Sequence, residues 1–448
     1  MPDVTPDPAF ADVVVVGAGQ AGLAVAAHLA RSGFLPVGAP GGPTYVVLDA
    51  SPGPGGAWRE RWPGLTMRTV NGVYELPGRP LPTFDADEPA SRALTRYFGD
   101  YERDLDLPVR RSVQVRAVRD VAGPERLLAV ETVERPVAEP DPAVPAAPEP
   151  PLATSGAATR PDFDDGLGGG AGLWRPVTAP VEPQDVRAPG QPAAPAARAR
   201  RRTTRTWHAR AVVNATGTWT RPFWPTYPGT QEFAGTQLHT HDYRAAEDFA
   251  DRHVVVVGGG ISAVQHLLAI HPFAASTTWV TRRPPDWRDA EFSPELGRDA
   301  VARVDERTRA GLPPQSIVAA TGLPLTERYR AGIADGVLVA RPVFARLVAD
   351  GAVWDPAVAR GPVADGWVTG PEHAPADVVL WATGFRAALD HLRPLGLRDA
   401  GGGIVMDGTR VVADPRVQLV GYGPSASTVG ANRAGRAAVR QVRRLLGV

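Results

Sequence analysis

The residues best placed to do chemistry in this 448-residue chain are glycines, and they stand at a defined spacing. Gly17-Ala18-Gly19-Gln20-Ala21-Gly22 follows the β-branched run at 12–16 and precedes a helical pattern over 23–31. A GxGxxG between a strand and a helix is a turn built for phosphate. Gly17 permits the tight turn, Gly19 lets backbone N–H groups approach a pyrophosphate, and Gly22 lets the helix pack on the strand. An acid at the end of the next strand would bind a ribose hydroxyl. Asp49, closing the run at 44–48, falls there, delayed by a small loop at 36–43. A glycine turn that holds no ligand is the plain alternative.

The arrangement recurs. After the run at 253–257 comes Gly258-Gly259-Gly260-Ile261-Ser262-Ala263, with Ala263 in the third glycine place, which the pattern allows. Gly258, Gly260 and Ser262 are the binding candidates of this second turn. Its second strand, at 277–281, ends in Arg282-Arg283 where an acid would select the unphosphorylated ribose. A guanidinium there matches a 2′-phosphate by bidentate hydrogen bonding, so the second unit is expected to prefer NADP(H) to NAD(H). Two solvated arginines are the competing account.

Composition excludes other chemistries. With no Cys there is no disulfide, thiolate nucleophile or Cys-ligated zinc; with no Lys among the 48 basic residues there is no Schiff-base amine or P-loop lysine. His239-Thr240-His241-Asp242 has metal-binding residue types but lacks a separated third ligand, so no metal site is expected. The formal net charge is zero, which offers nucleic acid or an anionic membrane no long-range field. No apolar run approaches the ~20 residues of a membrane helix, and no leader pattern opens the chain. A cytoplasmic protein is the expectation.

The elements that must hold these turns alternate between strand and helix. Short apolar runs at 113–118, 127–133, 204–209, 211–215, 377–381 and 417–420 read as strands, and a final helix is expected over 433–446. The fold class is therefore α/β, with two Rossmann-like dinucleotide-binding domains. Gly (48) and Pro (47) together are about twice their usual share. Much of that surplus lies in 135–202, expected to be a disordered insertion that includes a short strand at 173–177. The arginines at 198 and 200–202 read as a solvated linker end, since no recognition helix accompanies them.

Further motifs carry a resemblance. Gly55-Gly56-Ala57-Trp58 follows the Asp49 strand, and Asn214-Ala215-Thr216-Gly217 and Trp381-Ala382-Thr383-Gly384 end two others. Phe233-x-Gly235-x-x-x-His239-x-x-x-Tyr243 lies just before the second glycine turn. In this order the set resembles class B flavin-dependent monooxygenases, the flavin-containing monooxygenase group, across nearly the whole chain outside 135–202. Tyr243 stands where the related Baeyer–Villiger enzymes carry Trp, which favours the heteroatom-oxidising or N-hydroxylating branches.

The resemblance implies FAD in the first unit and NADPH in the second, with the NADPH domain inserted in a discontinuous FAD domain. The expected division is 1–134, 203–249 and 376–448 for FAD, with 250–375 for NADPH. It adds Gly56, Trp58, Gly217, Gly384 and Gly423 to the cofactor-binding candidates; turn chemistry explains Gly423 equally well. The catalytic candidates are Asn71, near the flavin if the match holds, and His239, which the resemblance places at the domain junction and not as a base on substrate. An Asn-Gly turn accounts for Asn71 as well. Residues 428–432 are expected on the substrate side.

The implied reaction is insertion of one oxygen atom of O2 into a small organic substrate through a C4a-(hydro)peroxyflavin. Three alternatives stand beside it: an oxidase releasing H2O2, an NADPH-dependent reductase with another acceptor, and a nucleotide-sensing flavoprotein without turnover.

Overall fold

The computed structural model describes residues 9–70, 72–134, 203–289, 294–314, 322–426 and 428–448, without side-chain detail at 294–300 and 428–429. Residues 135–202, and with them the strand expected at 173–177, lie outside the described residues, as does Asn71.

Two sheets carry the fold. At the heart of the ten-stranded sheet, Ala9–Val16 runs parallel to Thr44–Leu48 on one side and to Thr203–Asn214 on the other. Val417–Leu419 continues the parallel set beyond Thr203–Asn214. The strands expected at 204–209 and 211–215 are thus one, long enough to pair also with Leu128–Glu134. That last pairing is antiparallel and sets Glu134 opposite Thr203, so 135–202 leaves and re-enters the fold at adjacent positions of one hairpin.

The first strand is apolar on both faces because both are covered. Val13 and Val15 enter a core shared with the helices Gln20–Arg31, Ala90–Asp104 and Thr428–Leu446, while Val14 and Val16 enter a second core beneath the hairpin. Alternation of side chains across the pleat, with helices on one face, makes such a run continuously hydrophobic.

The smaller, five-stranded sheet is parallel throughout, in the order Ala340–Pro342, Ser276–Thr281, His253–Val257, Val378–Trp381, Thr236–His239. Its helix Ile261–Ile270 begins at Gly260. Two segments expected with the first domain belong here: the motif strand Thr236–His239 and the strand Val378–Trp381. Val378–Trp381 is apolar enough to be buried in either sheet, while Thr236–His239 is a largely polar edge strand; hydrogen-bond register, which composition does not carry, places both.

The two sheets repeat one construction. Gly17 N–H donates to Leu48 O at 2.8 Å, and Gly258 N–H donates to Val280 O at 2.9 Å. Ala215 N–H donates to Val16 O at 2.8 Å, and Ala382 N–H donates to Val257 O at 2.8 Å. Each glycine turn is therefore bracketed by an Ala-Thr-Gly strand end. No helix among the described residues is long and apolar enough to cross a membrane.

Candidate functional site

In an open parallel sheet, ligands bind beyond the carboxyl ends of the strands. The larger sheet has a cavity of about 960 Å³ at that edge, lined by Gly17, Gly19, Asp49, Gly56, Trp58 and Gly217 among others. Six of the sequence candidates thus converge on one space, within the size range of ligand sites.

The glycines divide the labour as their spacing suggests. Gly17 has φ +99°, and a Cβ on it would lie 2.7 Å from Ala215 O. A Cβ on Gly22 would collide with Gly17 O, so that position is what lets the helix sit against the turn. Gly19 differs: it caps the helix Gln20–Arg31, and nothing lies within 4 Å of its would-be Cβ. The space beside it is cavity, at a helix N-terminus whose first N–H groups have no partner within the helix. Gly56 closes the other wall, since its Cβ would stand 2.7 Å from Gly19 Cα.

Asp49 is buried at the end of Thr44–Leu48. Its Oδ2 accepts from Ala18 N–H at 2.5 Å and its Oδ1 from Ser51 N–H at 2.8 Å. Arg111 pairs with Oδ1 at 3.2 Å and also with Glu102. Burial pushes the Glu102 carboxyl up, against the pull of Arg111. Asp49 is therefore aimed by three groups and still lines the cavity. Arg111 escaped the sequence reading because only the fold brings it to Asp49.

The second turn has the same frame with different end groups. The register that sets Leu48 beside Val16 sets Val280 beside Val257, so Thr281 holds the place of Asp49. No carboxylate stands there. Thr281 Oγ1 accepts from Trp367 Nε1–H at 2.7 Å, and Arg282 and Arg283 follow it, exposed and with no ion pair among the described residues. Nothing lies within 4 Å of a Cβ on Gly260, and Ser262 is half-buried at the second residue of the helix that Gly260 caps.

His239, a catalytic candidate through the resemblance, is bonded to backbone groups on both ring nitrogens. Its side chain is fully buried and outside the cavity lining. Nδ1 accepts from His241 N–H at 3.1 Å, so Nε2 carries the proton and donates to Gly384 O at 3.0 Å. Burial brings its pKa down to about 4, against the opposing pull of the Gly384 carbonyl and Asp242. A neutral ring so fastened ties the motif strand to the Ala-Thr-Gly turn; it is a positioning residue. Gly384 is its acceptor and also accepts from Phe223 N–H, away from the cavity.

Gly423 is likewise displaced from its expected place. A Cβ there would meet the Thr308 side chain at 2.7 Å, so it packs on the helix Pro294–Arg309. Gly421, Ser425 and Ala426 supply the cavity wall in its stead. The final helix begins at Thr428, and of the expected substrate-side residues Ala431 reaches the cavity. Arg61 and Trp219 also line it, and neither was singled out from the sequence. Trp219 stands two residues past the Ala-Thr-Gly motif, a signal that could have found it. Among the described residues no group of three or more His, Asp or Glu could hold a metal ion.

Residues 201–320 match the family described as pyridine nucleotide-disulphide oxidoreductase. Locally, the chain is 39% identical over 72 residues to a trimethylamine monooxygenase of Pelagibacter ubique, 16% of each protein. It is 41% identical over 91 residues to a ferredoxin–NADP reductase of a Bradyrhizobium species, 20% of this chain and 26% of that one. These matches thus span 16% and 26% of the relatives' lengths. A solved flavin-containing monooxygenase from Stenotrophomonas maltophilia is similar end to end, at 29% identity, covering 98% of this chain and 99% of the other with a TM-score of 0.65. A bacillithiol disulfide reductase from Bacillus cereus, at 15% identity and a TM-score of 0.57, shares the fold. The resemblance read from the motifs and the α/β fold class are borne out by these proteins, which are enzymes.

Proposed function

We propose that this chain, whose fold and relatives are those of flavin monooxygenases, binds FAD in the cavity of its larger sheet and NADPH at the second glycine turn, and inserts one oxygen atom of O2 into a small organic substrate. The carrying observation is the repeated strand–turn–helix frame with different end groups: Asp49 on the first, Thr281-Arg282-Arg283 on the second. An acid suits a free ribose, and two arginines with no ion pair among the described residues suit a 2′-phosphate.

The cavity fits a dinucleotide on its own geometry, with open space at Gly19 under a helix N-terminus and an aimed acid at Asp49. When bound, FAD would supply the hydride acceptance and oxygen activation that no side chain here can. The chain's part is to hold and to shield. The turn at 17–22 presents N–H groups to the diphosphate, and Asp49 takes the ribose. The apolar bodies of Trp58 and Trp219 narrow the water-accessible space beside it. Neutral His239 ties the motif strand to the Ala-Thr-Gly turn at Gly384 without donating a proton to substrate.

The local similarity to ferredoxin–NADP reductases supports a second reading, an NADPH-dependent reductase or oxidase. A redox disulfide is excluded for it, since the chain has no Cys. Oxygen consumption, NADPH oxidation and H2O2 release, measured together across panels of amines and thioethers, test the choice. Peroxide release that falls while an oxygenated product appears supports the monooxygenase. Peroxide equal to NADPH consumed with every compound refutes it.

A further inference from the structure

Arg61 follows the short helical turn Gly56–Glu60 and points into the cavity wall. Its guanidinium lies over the ring of Trp219, 3.9 Å from the centroid, with Trp58 at 5.7 Å. Its buried Nε has no hydrogen-bond partner, and the side chain has no ion pair among the described residues. The adjacent Glu60 is turned to another task, accepting from Trp219 Nε1–H at 2.6 Å. Burial lowers the Arg61 pKa to about 10, partly offset by Glu60, so the group is charged at neutral pH.

Arg61 is half-buried, and a cation drawn out of water with no counter-charge is costly, a cost met where a ligand brings the opposite charge. Two other arginines, half-buried Arg111 and buried Arg341, differ in having protein oxygens for their terminal nitrogens, although the Arg341 Nε is also without a partner. Arg111 is paired with Asp49 and Glu102. Arg341, stacked 3.8 Å over Trp354, donates to Pro371 O at 2.6 Å and is away from the cavity.

We propose that Arg61 is an anion-holding residue of the cavity, whose counter-charge is an oxyanion of a bound molecule and not an acid of the protein. With one face against an indole, the planar fork keeps its edge for a phosphate or a carboxylate, the oxyanions it binds in a bidentate manner. Two sources share that chemistry: the diphosphate of the dinucleotide and the carboxylate of a small substrate. The first rests on the reading that the cavity takes FAD.

The test compares wild type with Arg61→Gln in titrations of FAD, riboflavin, inorganic pyrophosphate and benzoate. If the diphosphate is the partner, FAD affinity falls about tenfold to a hundredfold while riboflavin, which lacks phosphate, binds as before. If a carboxylate is the partner, FAD is held equally and benzoate binding to the FAD-loaded protein falls by that factor. Arg61→Lys, keeping charge without the fork, should lie between. Unchanged affinity for all ligands in Arg61→Gln overturns the proposal. If wild type binds neither flavin, the cofactor reading fails by itself, and calorimetry with pyrophosphate and benzoate judges Arg61 by the same criterion. Ligand-free Arg61→Gln should melt no lower than wild type, since it removes a half-buried charge that has no ion pair among the described residues. Were it not to fold, Arg61→Lys carries the same comparison, and an unchanged affinity there counts against the proposal.

Discussion

On the proposed reading the protein prefers NADPH, and replacing Arg282 and Arg283 together by Ala should leave it nearly indifferent to the 2′-phosphate. The size of the effect follows from where the two side chains sit. A hydrogen bond to a charged group contributes about 1.5–3 kcal/mol when protected from water. Both arginines are exposed beyond the end of Ser276–Thr281, so each contact is discounted toward the ~1 kcal/mol of a surface pair. Two such contacts amount to about 2 kcal/mol, or roughly a 30-fold fall in kcat/KM for NADPH. Neither arginine is paired with a carboxylate among the described residues, so the substitution strands no acid, and the melting temperature should hold. NADH, lacking the phosphate, should be used as before. Steady-state oxidation of both nucleotides at two ionic strengths is the assay. Added salt should raise the wild-type KM for NADPH and leave the variant's nearly flat. Equal losses with NADPH and NADH would refute the reasoning and leave the arginines merely solvated.

Other positions separate folding from binding. Gly19→Val should fold and purify without flavin, because its side chain enters open cavity; a fully loaded yellow variant would contradict the assignment. Gly22→Ala should lose ~3 kcal/mol or more of stability by thermal melt, because its Cβ would collide with Gly17 O. Removing residues 140–190 should leave flavin content and melting temperature unchanged, since Glu134 and Thr203 already pair across the hairpin that the segment closes; insoluble protein would show otherwise. Acid should destabilise the fold in a defined window. Burial holds His239 and His391 neutral, each at about 4, below the ordinary value near 6.5 of an unfolded chain. Their contribution is complete above about pH 6.5 and is lost as pH falls toward 4. Chemical denaturation between pH 7 and pH 4 reads it, and His391→Gln should make the decline shallower.

Much of the frame was legible because it is local. A strand, a glycine turn and a helix are contiguous in sequence, so residues 12–31 and 253–270 announce themselves, and the Ala-Thr-Gly ends mark the strands that bracket them. What escaped was set by long-range register. Thr236–His239 and Val378–Trp381 carry no residue that says which sheet they join. Arg111 reaches Asp49 only because the strand Thr44–Leu48 runs beside residues 109–110. His239 is a catalytic candidate through the resemblance alone, and both its nitrogens are bonded to backbone groups that sequence does not place. Gly423 lay two residues from Gly421, which faces the cavity in its stead, and a turn decides such an offset.

The central claim, a flavin reduced by a pyridine nucleotide within one chain, is tested most directly by the visible spectrum of the purified protein during anaerobic addition of NADPH. The oxidised-flavin absorbance should be present, bleach on addition and return when air is admitted. A protein that remains colourless after incubation with FAD, or whose flavin is not reduced by NADPH, would contradict it.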